Sequence, residues 1–341
     1  MSIRVFMMPK YNSGNKYNEL LSTSIEEQGY RVISFSKRNV LNTHKGDILH
    51  IHWPSHYYQG RNLLRTLLKT SLFLLLLMFL RMKKVRIVWT VHNIWPHSSG
   101  MTKYDKYIRK IICRLCNRLI VMGESLVQEV SSTFNIKNSK IDVVHHGHYQ
   151  NVYTPTGNNI RKKYNIPDDH IVYGFVGQIS PYKGIDDLLA AFKALNHANS
   201  HLIIAGGVSK DFDMNLLNGI ESSNIHLNLN FLEDNELADY VSAFNAVVLP
   251  YKLITTSGTA ILALSLYKPV IAPKIGILKE YLPDNCSILY DPLVKGSLKR
   301  AMEDIRSFNH EKFYSSANKQ IGQLNWSDMA KLTIDTYKKC I

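Results

Sequence analysis

Short runs of β-branched and aliphatic residues alternate along the chain with stretches whose apolar positions recur every three to four residues. Strands are predicted at residues 3–8, 31–36, 48–52, 86–92, 119–122 and 141–145. Helical spacing fills 18–28, 62–82 and 104–117 between them. Around residues 151–167 the pattern breaks into polar positions with Pro155, Gly157 and Pro167, which reads as a linker. The alternation then restarts, with strands at 171–176, 201–205, 225–229, 246–249 and 270–272 and helices at 186–195 and 261–267. Residues 326–339 (WSDMAKLTIDTYKK) form a closing helix with no strand before it. Strands alternating with helices imply parallel sheets covered on both faces. The expected fold class is α/β: two Rossmann-like doubly wound parallel-sheet domains facing a central cleft.

Charge divides the chain at the same place. Residues 1–150 hold 22 Lys and Arg against 8 Asp and Glu, whereas the remainder holds 19 of each. The basic part also contains the longest apolar run, residues 72–80 (LFLLLLMFL). Arg65 and Lys69 precede this run, and Arg81, Lys83, Lys84 and Arg86 follow it. Nine residues make about 14 Å of helix, too short for a span of about 20 apolar residues. A helix lying in the membrane interface is expected, with Leu74 and Leu77 meeting lipid; a buried core helix is the competing reading. The anionic membrane surface is the partner that this charge suits, at the cytoplasmic face and peripherally. Nucleic acid is not expected, because no groove-reading motif accompanies the basic residues. Cys113 and Cys116 form a C-x2-C on one helix face with no second pair at zinc spacing, so they read as packed thiols and no metal site is assigned.

In open parallel sheets, ligands bind beyond the carboxyl ends of the strands. In the first domain those ends present residues 9–15, then His52-Trp53-Pro54, His92-Asn93, Gly123-Glu124-Ser125 and residues 145–148. In the second, residues 176–186 (VGQISPYKGID) run from a strand through two glycines and a lysine into a helix. Glycines admit close backbone approach, and a lysine beside a helix N-terminus attracts anions. Residues 255–260 (TTSGTA) open another helix with hydroxyls and free N–H groups. The two loops together read as a phosphate cradle, while N-capping alone would account for Ser257 or Thr259.

With these motifs the chain resembles the GT-B glycosyltransferases of bacterial exopolysaccharide and glycolipid synthesis. VGQISPYKGIDDLLAAF is similar to their "GR…KG" donor segment, and SLYKPVIAPKIGILKEYL to a late donor-lobe signature. HIHWP, TVHNIWPH and VVHHGHY resemble an acceptor lobe. The resemblance implies an acceptor-binding, membrane-facing domain at 1–152 and a nucleotide-sugar domain at 153–324. It also implies a final helix, 325–341, crossing back to the first domain. Two departures stand out. The glutamate pair eight apart is replaced by Ile254 and Leu262, and the arginine of "GR" is Gln178.

The activity that the resemblance implies is a metal-independent hexosyl transfer from a GDP-mannose, UDP-glucose or UDP-glucuronate type of donor. The acceptor is a polyprenyl-diphosphate-linked glycan, and the nucleotide sugar is a co-substrate with no separate cofactor. Gly177, Gln178, Lys183, Gly206, Phe231, Thr256, Ser257, Gly258, Thr259 and Glu280 are the expected donor contacts. Asn15, His52, His97, His146 and His148 are the expected acceptor contacts. If the reaction inverts the anomeric centre, Glu124 or His92 serves as general base; if it retains, neither is needed. A catalytically inactive nucleotide-sugar-binding or scaffold protein is the alternative, motivated by the missing glutamates.

Overall fold

A computed structural model describes residues 3–12, 14–95, 102–195 and 197–341. The chain divides into two compact units, Met1–Gly147 with Leu324–Ile341, and His148–Gln323. His97 lies outside the described residues.

The first unit holds six parallel strands: β1 (Arg4–Met8), β2 (Arg31–Ser34), β3 (Ile48–Ile51), β4 (Arg86–Thr90), β5 (Arg118–Val121) and β6 (Ile141–Val143). Their spatial order is β2-β1-β3-β4-β5-β6. Central strands β3 and β4 read ILHI and RIVWT, buried almost throughout because helices cover both faces of a parallel sheet. The order reverses between β1 and β3, which pair from Val5 with Ile48 to Met8 with Ile51. The closing helix Trp326–Lys338 packs on helix Tyr17–Glu27 within this unit. Its Tyr337 hydroxyl reaches 2.7 Å from His50 Nδ1, and its Trp326 ring lies 5.4 Å from that of Tyr17.

The second unit holds β7 (Ile171–Val176), β8 (Ser200–Ala205), β9 (Ile225–Asn228), β10 (Ala246–Val248), β11 (Val270–Pro273) and β12 (Ser287–Tyr290), again all parallel. The order β12-β11-β10-β7-β8-β9 is the doubly wound dinucleotide-fold order, with its reversal between β7 and β10. Two parallel six-stranded sheets therefore realise the expected architecture. Strand β12 and helices Asp234–Ala243, Ser297–Asp304 and His310–Gln323 are additions to the elements expected from sequence.

The apolar run requires a correction. Helix Leu63–Met82 is continuous over 20 residues, about 30 Å, with cations only at Arg65, Lys69 and Arg81. It is long and apolar enough to cross a membrane by length and composition. One stripe, Thr70, Phe73, Leu77 and Leu80, is buried within the unit. Leu77, expected to meet lipid, is fully buried on that stripe. The opposite face exposes Leu64, Leu68, Leu72, Leu75 and Met82. All four cysteines are free and buried, and burial lifts the Cys116 thiol to about 12.

Candidate active site

At the reversal in the second sheet, the loops following β7 and β10 press together. A Cβ on Gly184, whose φ is +68°, would lie 1.9 Å from the Pro250 carbonyl oxygen. Only glycine fits that crossing and that backbone conformation. Lys252 N–H donates to the Tyr182 carbonyl at 2.9 Å, and its ammonium meets Asp186 at 2.6 Å. The loop after β8 joins them: Ile179 N–H donates to Gly207 O, and Ser209 N–H donates to Ile179 O. Gly206, at φ +146°, would drive a Cβ to 2.0 Å from Gly177 O.

Lys183 sits inside this junction with its Nζ 3.8 Å from the centre of the Tyr251 ring. Burial alone would lower the ammonium's pKa, but the neighbouring Tyr251 and Tyr182 raise it above the usual lysine value. The cation is thus held in place and charged. Three side-chain oxygens on these adjoining loops are buried and have no hydrogen-bond partner: Ser180 Oγ, Ser209 Oγ and Tyr251 OH. Among the described residues only Asn18 Oδ1 and Ser22 Oγ, in the other unit, share that condition. An unpaired buried polar atom costs about 1–3 kcal/mol, so three on loops that meet are a costly set. Ser180, Ser209 and Tyr251 were not among the residues expected from sequence.

The other expected donor residues fall near these loops to different degrees. Thr259 points at the Gly177 turn, its Oγ1 standing 3.6 Å from where a Gly177 Cβ would be. Ser257 Oγ accepts from Ala260 N–H at 3.1 Å and so caps helix Gly258–Ser265, the simpler of its two readings. Gly258 lies beside the Tyr149 ring and hydroxyl, and Thr256 precedes the cap. Gln178 is exposed, and Phe231 is exposed next to Gly207. Glu280 is half-buried on helix Leu278–Tyr281, beyond β11. Leu262 is buried and Ile254 half-buried, so no carboxylate occupies the pair's positions.

In the first unit the strand ends hold an interior cluster of imidazoles. His50 bridges Tyr337 OH and Thr90 Oγ1, both at 2.7 Å, and burial pushes its pKa down to about 3. His52 Nδ1 meets His92 Nε2 at 2.9 Å, and His52 Nε2 meets Met7 Sδ at 2.8 Å. Burial first, and then neighbouring histidines, holds His52 and His92 well below the ordinary value. Trp53 stacks on His92 with ring centres 4.2 Å apart. His146 Nδ1 lies 2.7 Å from Gly147 O between the Tyr17 and Trp326 rings, and burial lowers its pKa to about 4.

These positions correct the expected acceptor surface. His52 and His146 are core side chains, enclosed because their neighbours fill the strand ends. His92, only 5% exposed and neutral, is a poor collector of protons. Asn15 Oδ1 accepts from Tyr17 N–H at 2.9 Å and so organises the start of its helix. His148 falls in the second unit, where its Nδ1 accepts from Gln150 N–H at 3.2 Å. Glu124 differs from all of these. It is exposed at the carboxyl end of β5, and its side chain makes no capping bond to helix Ser125–Phe134. Among the described residues, no group of three or more His, Cys, Asp or Glu could hold a metal ion.

The family profile "Glycosyltransferase Family 4" matches residues 27–148, and "Glycosyl transferases group 1" matches residues 157–319. The chain belongs to the GT-B glycosyltransferases. This GT-B chain is 30% identical over 241 residues to a GDP-mannose:glycolipid 4-beta-D-mannosyltransferase of Xanthomonas campestris. That alignment covers 70% of the chain and spans only 64% of the relative's length. Among solved structures, sucrose-phosphate synthase from Thermosynechococcus elongatus superposes with a TM-score of 0.72 at 16% identity, covering 99% of both chains. Anabaena HepE, solved with UDP and glucose, superposes with a TM-score of 0.73 at 12% identity, covering 99% of this chain and 100% of its own.

Proposed function

We propose that this chain transfers a hexose from a nucleoside-diphosphate sugar to a lipid-linked glycan, with inversion at the anomeric carbon. The observation that carries the proposal is the junction in the second unit, where Lys183 lies over the Tyr251 ring and the joined loops carry three buried oxygens lacking partners. A diphosphate supplies acceptors for the ammonium, for the Ser180, Ser209 and Tyr251 hydroxyls and for amides at the start of helix Gly258–Ser265. As the sugar–phosphate bond breaks, negative charge grows on the departing nucleotide. Pre-positioned donors stabilise that charge more than they stabilise the bound substrate. Exposed Phe231 beside Gly207 gives the base a ring to stack on. The relative's name favours GDP-mannose as the donor.

Inversion is supported from two sides. The glutamate positions are apolar, Ile254 and Leu262. The named relative forms a β-mannoside, which from an α-linked nucleotide sugar requires attack on the opposite face. Attack by an acceptor hydroxyl then needs a base to take its proton. Glu124 fits this role better than His92, being exposed at a strand end and outside the helix cap, whereas His92 is enclosed.

In this proposal the first unit lies on the anionic membrane surface. Its long helix is anchored by a buried stripe and turns a row of leucines outward, the arrangement of an interfacial helix rather than a crossing one. GDP, UDP and ADP should be titrated calorimetrically, and the product's anomer read by NMR with GDP-mannose as donor. Binding of GDP or UDP with a β product supports the proposal. Failure of all three nucleotides to bind overturns the donor site, an α product overturns inversion, and binding without any transfer favours the scaffold alternative.

A further inference from the structure

Beside the long apolar helix of the first unit lies a cavity of about 690 Å³ that the proposed reaction does not use. Arg61, Arg65 and Lys69 line it, together with Leu68, Tyr104 and Asp105. Arg65 and Lys69 stand one helical turn apart, and Arg61 lies in the bend just before the helix N-cap, Asn62. Neither the Arg61 nor the Arg65 guanidinium meets an acceptor among the described residues. The cations at the far end of the helix behave differently: Arg81 donates to Leu115 O at 2.6 Å, and Lys83 to Leu41 O at 2.8 Å. They are tied down by the fold.

The remaining groups on the cavity are already engaged. Lys69 donates to the carbonyls of His56 and Gln59. Asp105 accepts from Tyr58 at 2.8 Å, Gln59 at 2.9 Å and Thr102 at 2.5 Å. Tyr104 pairs with Thr70. The cavity therefore offers positive charge and two open guanidinium forks, a geometry that suits the several oxygens of one phosphate. Leu68 belongs both to this cavity and to the outward apolar row of Leu64, Leu72 and Leu75. An anion seated here would have hydrocarbon surface beginning beside it.

We propose that the cavity binds the phosphate-monoester headgroup of a lipid held in the bilayer, with Arg61 and Arg65 as its ligands and the acyl chains along Leu64 and Leu68. The inference rests on the membrane placement proposed above and adds a specific headgroup site to it. A diffuse basic surface responds to charge density alone. A two-arginine pocket distinguishes a monoester from a diester of equal charge.

The test is flotation of the full chain with phosphatidylcholine vesicles containing either phosphatidic acid or phosphatidylglycerol, matched in zeta potential. Wild type should prefer phosphatidic acid by about tenfold or more, the lower end of the scale of one charge-assisted hydrogen bond. Arg61→Gln with Arg65→Gln should bring that ratio to about one. Lys37→Gln with Arg38→Gln, equal in charge but outside the cavity, should preserve it. Absence of preference in wild type, or its survival in the arginine variant, overturns the site while leaving membrane placement intact. Leu68→Ser with Leu72→Ser and Leu75→Ser should weaken binding to both vesicle types, which reads the placement separately. If wild type floats with neither vesicle, placement fails. Short-chain phosphatidic acid below its micellar concentration then tests the cavity directly by calorimetry. Saturable binding lost in the arginine variant supports the site, and no binding overturns it. Inorganic phosphate binding as tightly as the short-chain lipid would also overturn the lipid assignment.

Discussion

The two sheets share strand number and parallel pairing, and each reverses its strand order once, yet they treat the loops at that reversal in opposite ways. In the first unit the imidazoles near the reversal find partners, although Asn18 Oδ1 and Ser22 Oγ on the following helix do not. His50 sits between Tyr337 and Thr90, and His52 between His92 and Met7. In the second, Ser180, Ser209 and Tyr251 stay unpaired on the loops that meet at Lys183's turn. Buried polar atoms left unmet lower stability, so a fold retains them together where a ligand completes the set. The first unit's strand-end imidazoles are paired with one another and their neighbours, whereas the second unit's junction leaves three hydroxyls unpaired on loops that meet. The proposed base, Glu124, is an exposed group outside those pairings.

The sharpest way to break this comparison is to remove the exposed carboxylate. Glu124→Gln should lower kcat by about 10²–10⁴ with little change in the donor KM, since a general base acts on the acceptor proton alone. His92→Phe should instead lower the thermal midpoint, because it removes the partner of buried His52. If Glu124→Gln turns over normally while His92→Phe, still folded, is inactive, the roles are reversed. Lys183→Ala comes next, with an expected loss of about 10²–10³ in kcat, the scale for one pre-positioned charge donor. Its fold should survive, since the ammonium rests on a ring face rather than in an ion pair. Unchanged steady-state rates in that variant would remove Lys183 from the diphosphate site.

Much of the fold was legible because buried parallel strands are written as short aliphatic runs, VYGFV and IVWT among them. Strand β12 (SILY) is short and half polar, and so escaped that pattern. The KG loop was legible as a candidate anion site, since a lysine between glycines before a helix has few structural uses, and the structure sets it at the sheet's reversal. The partnerless hydroxyls were not, because whether a serine finds a partner depends on where distant loops meet. The histidines misled for a related reason. Read one at a time they resemble loop residues, yet the i, i+2 spacing of His50 and His52 puts both on one face of β3 and its extension. Leu77 could have been placed from sequence, because Thr70, Phe73, Leu77 and Leu80 recur at helical spacing as one stripe.

Acid should separate the two units. His50 and His146 have folded pKa values lowered to about 3 and about 4, below the unfolded value near 6.5. The unfolded chain therefore binds protons first as pH falls, so stability is full above about 6.5 and drains away towards pH 4. At pH 5 each of these two groups withdraws about 2 kcal/mol. The second unit has a smaller counterpart in the stacked His170, His201 and His226, of which His201 is lowered to about 4 by burial and its neighbours. Trp53, Trp89, Trp95 and Trp326 all lie in the first unit, so tryptophan fluorescence reports that unit while circular dichroism reports both. Between pH 7.5 and pH 5 the urea midpoint read by fluorescence should fall further than the one read by dichroism. Equal shifts would mean that the first unit's imidazole cluster carries no special acid sensitivity.

The smallest effect is the most discriminating, because it asks whether a buried hydroxyl is part of the fold or part of a ligand site. Thr90→Val deprives His50 Nε2 of its partner and should cost about 1–3 kcal/mol of stability, with or without nucleotide. Ser180→Ala removes an oxygen that has no partner to lose. The free protein should be as stable as wild type or slightly more so. The cost should appear only when nucleotide is bound, as a weakening of about tenfold or more, the lower end of the worth of one hydrogen bond to a charged phosphate oxygen. Calorimetric Kd values for GDP and UDP, measured beside thermal midpoints without ligand, separate the two behaviours. A Ser180→Ala protein that melts lower when empty yet binds nucleotide with unchanged affinity would place Ser180 with Thr90 among the structural hydroxyls, and the contrast between the sheets would then rest on Ser209 and Tyr251 alone.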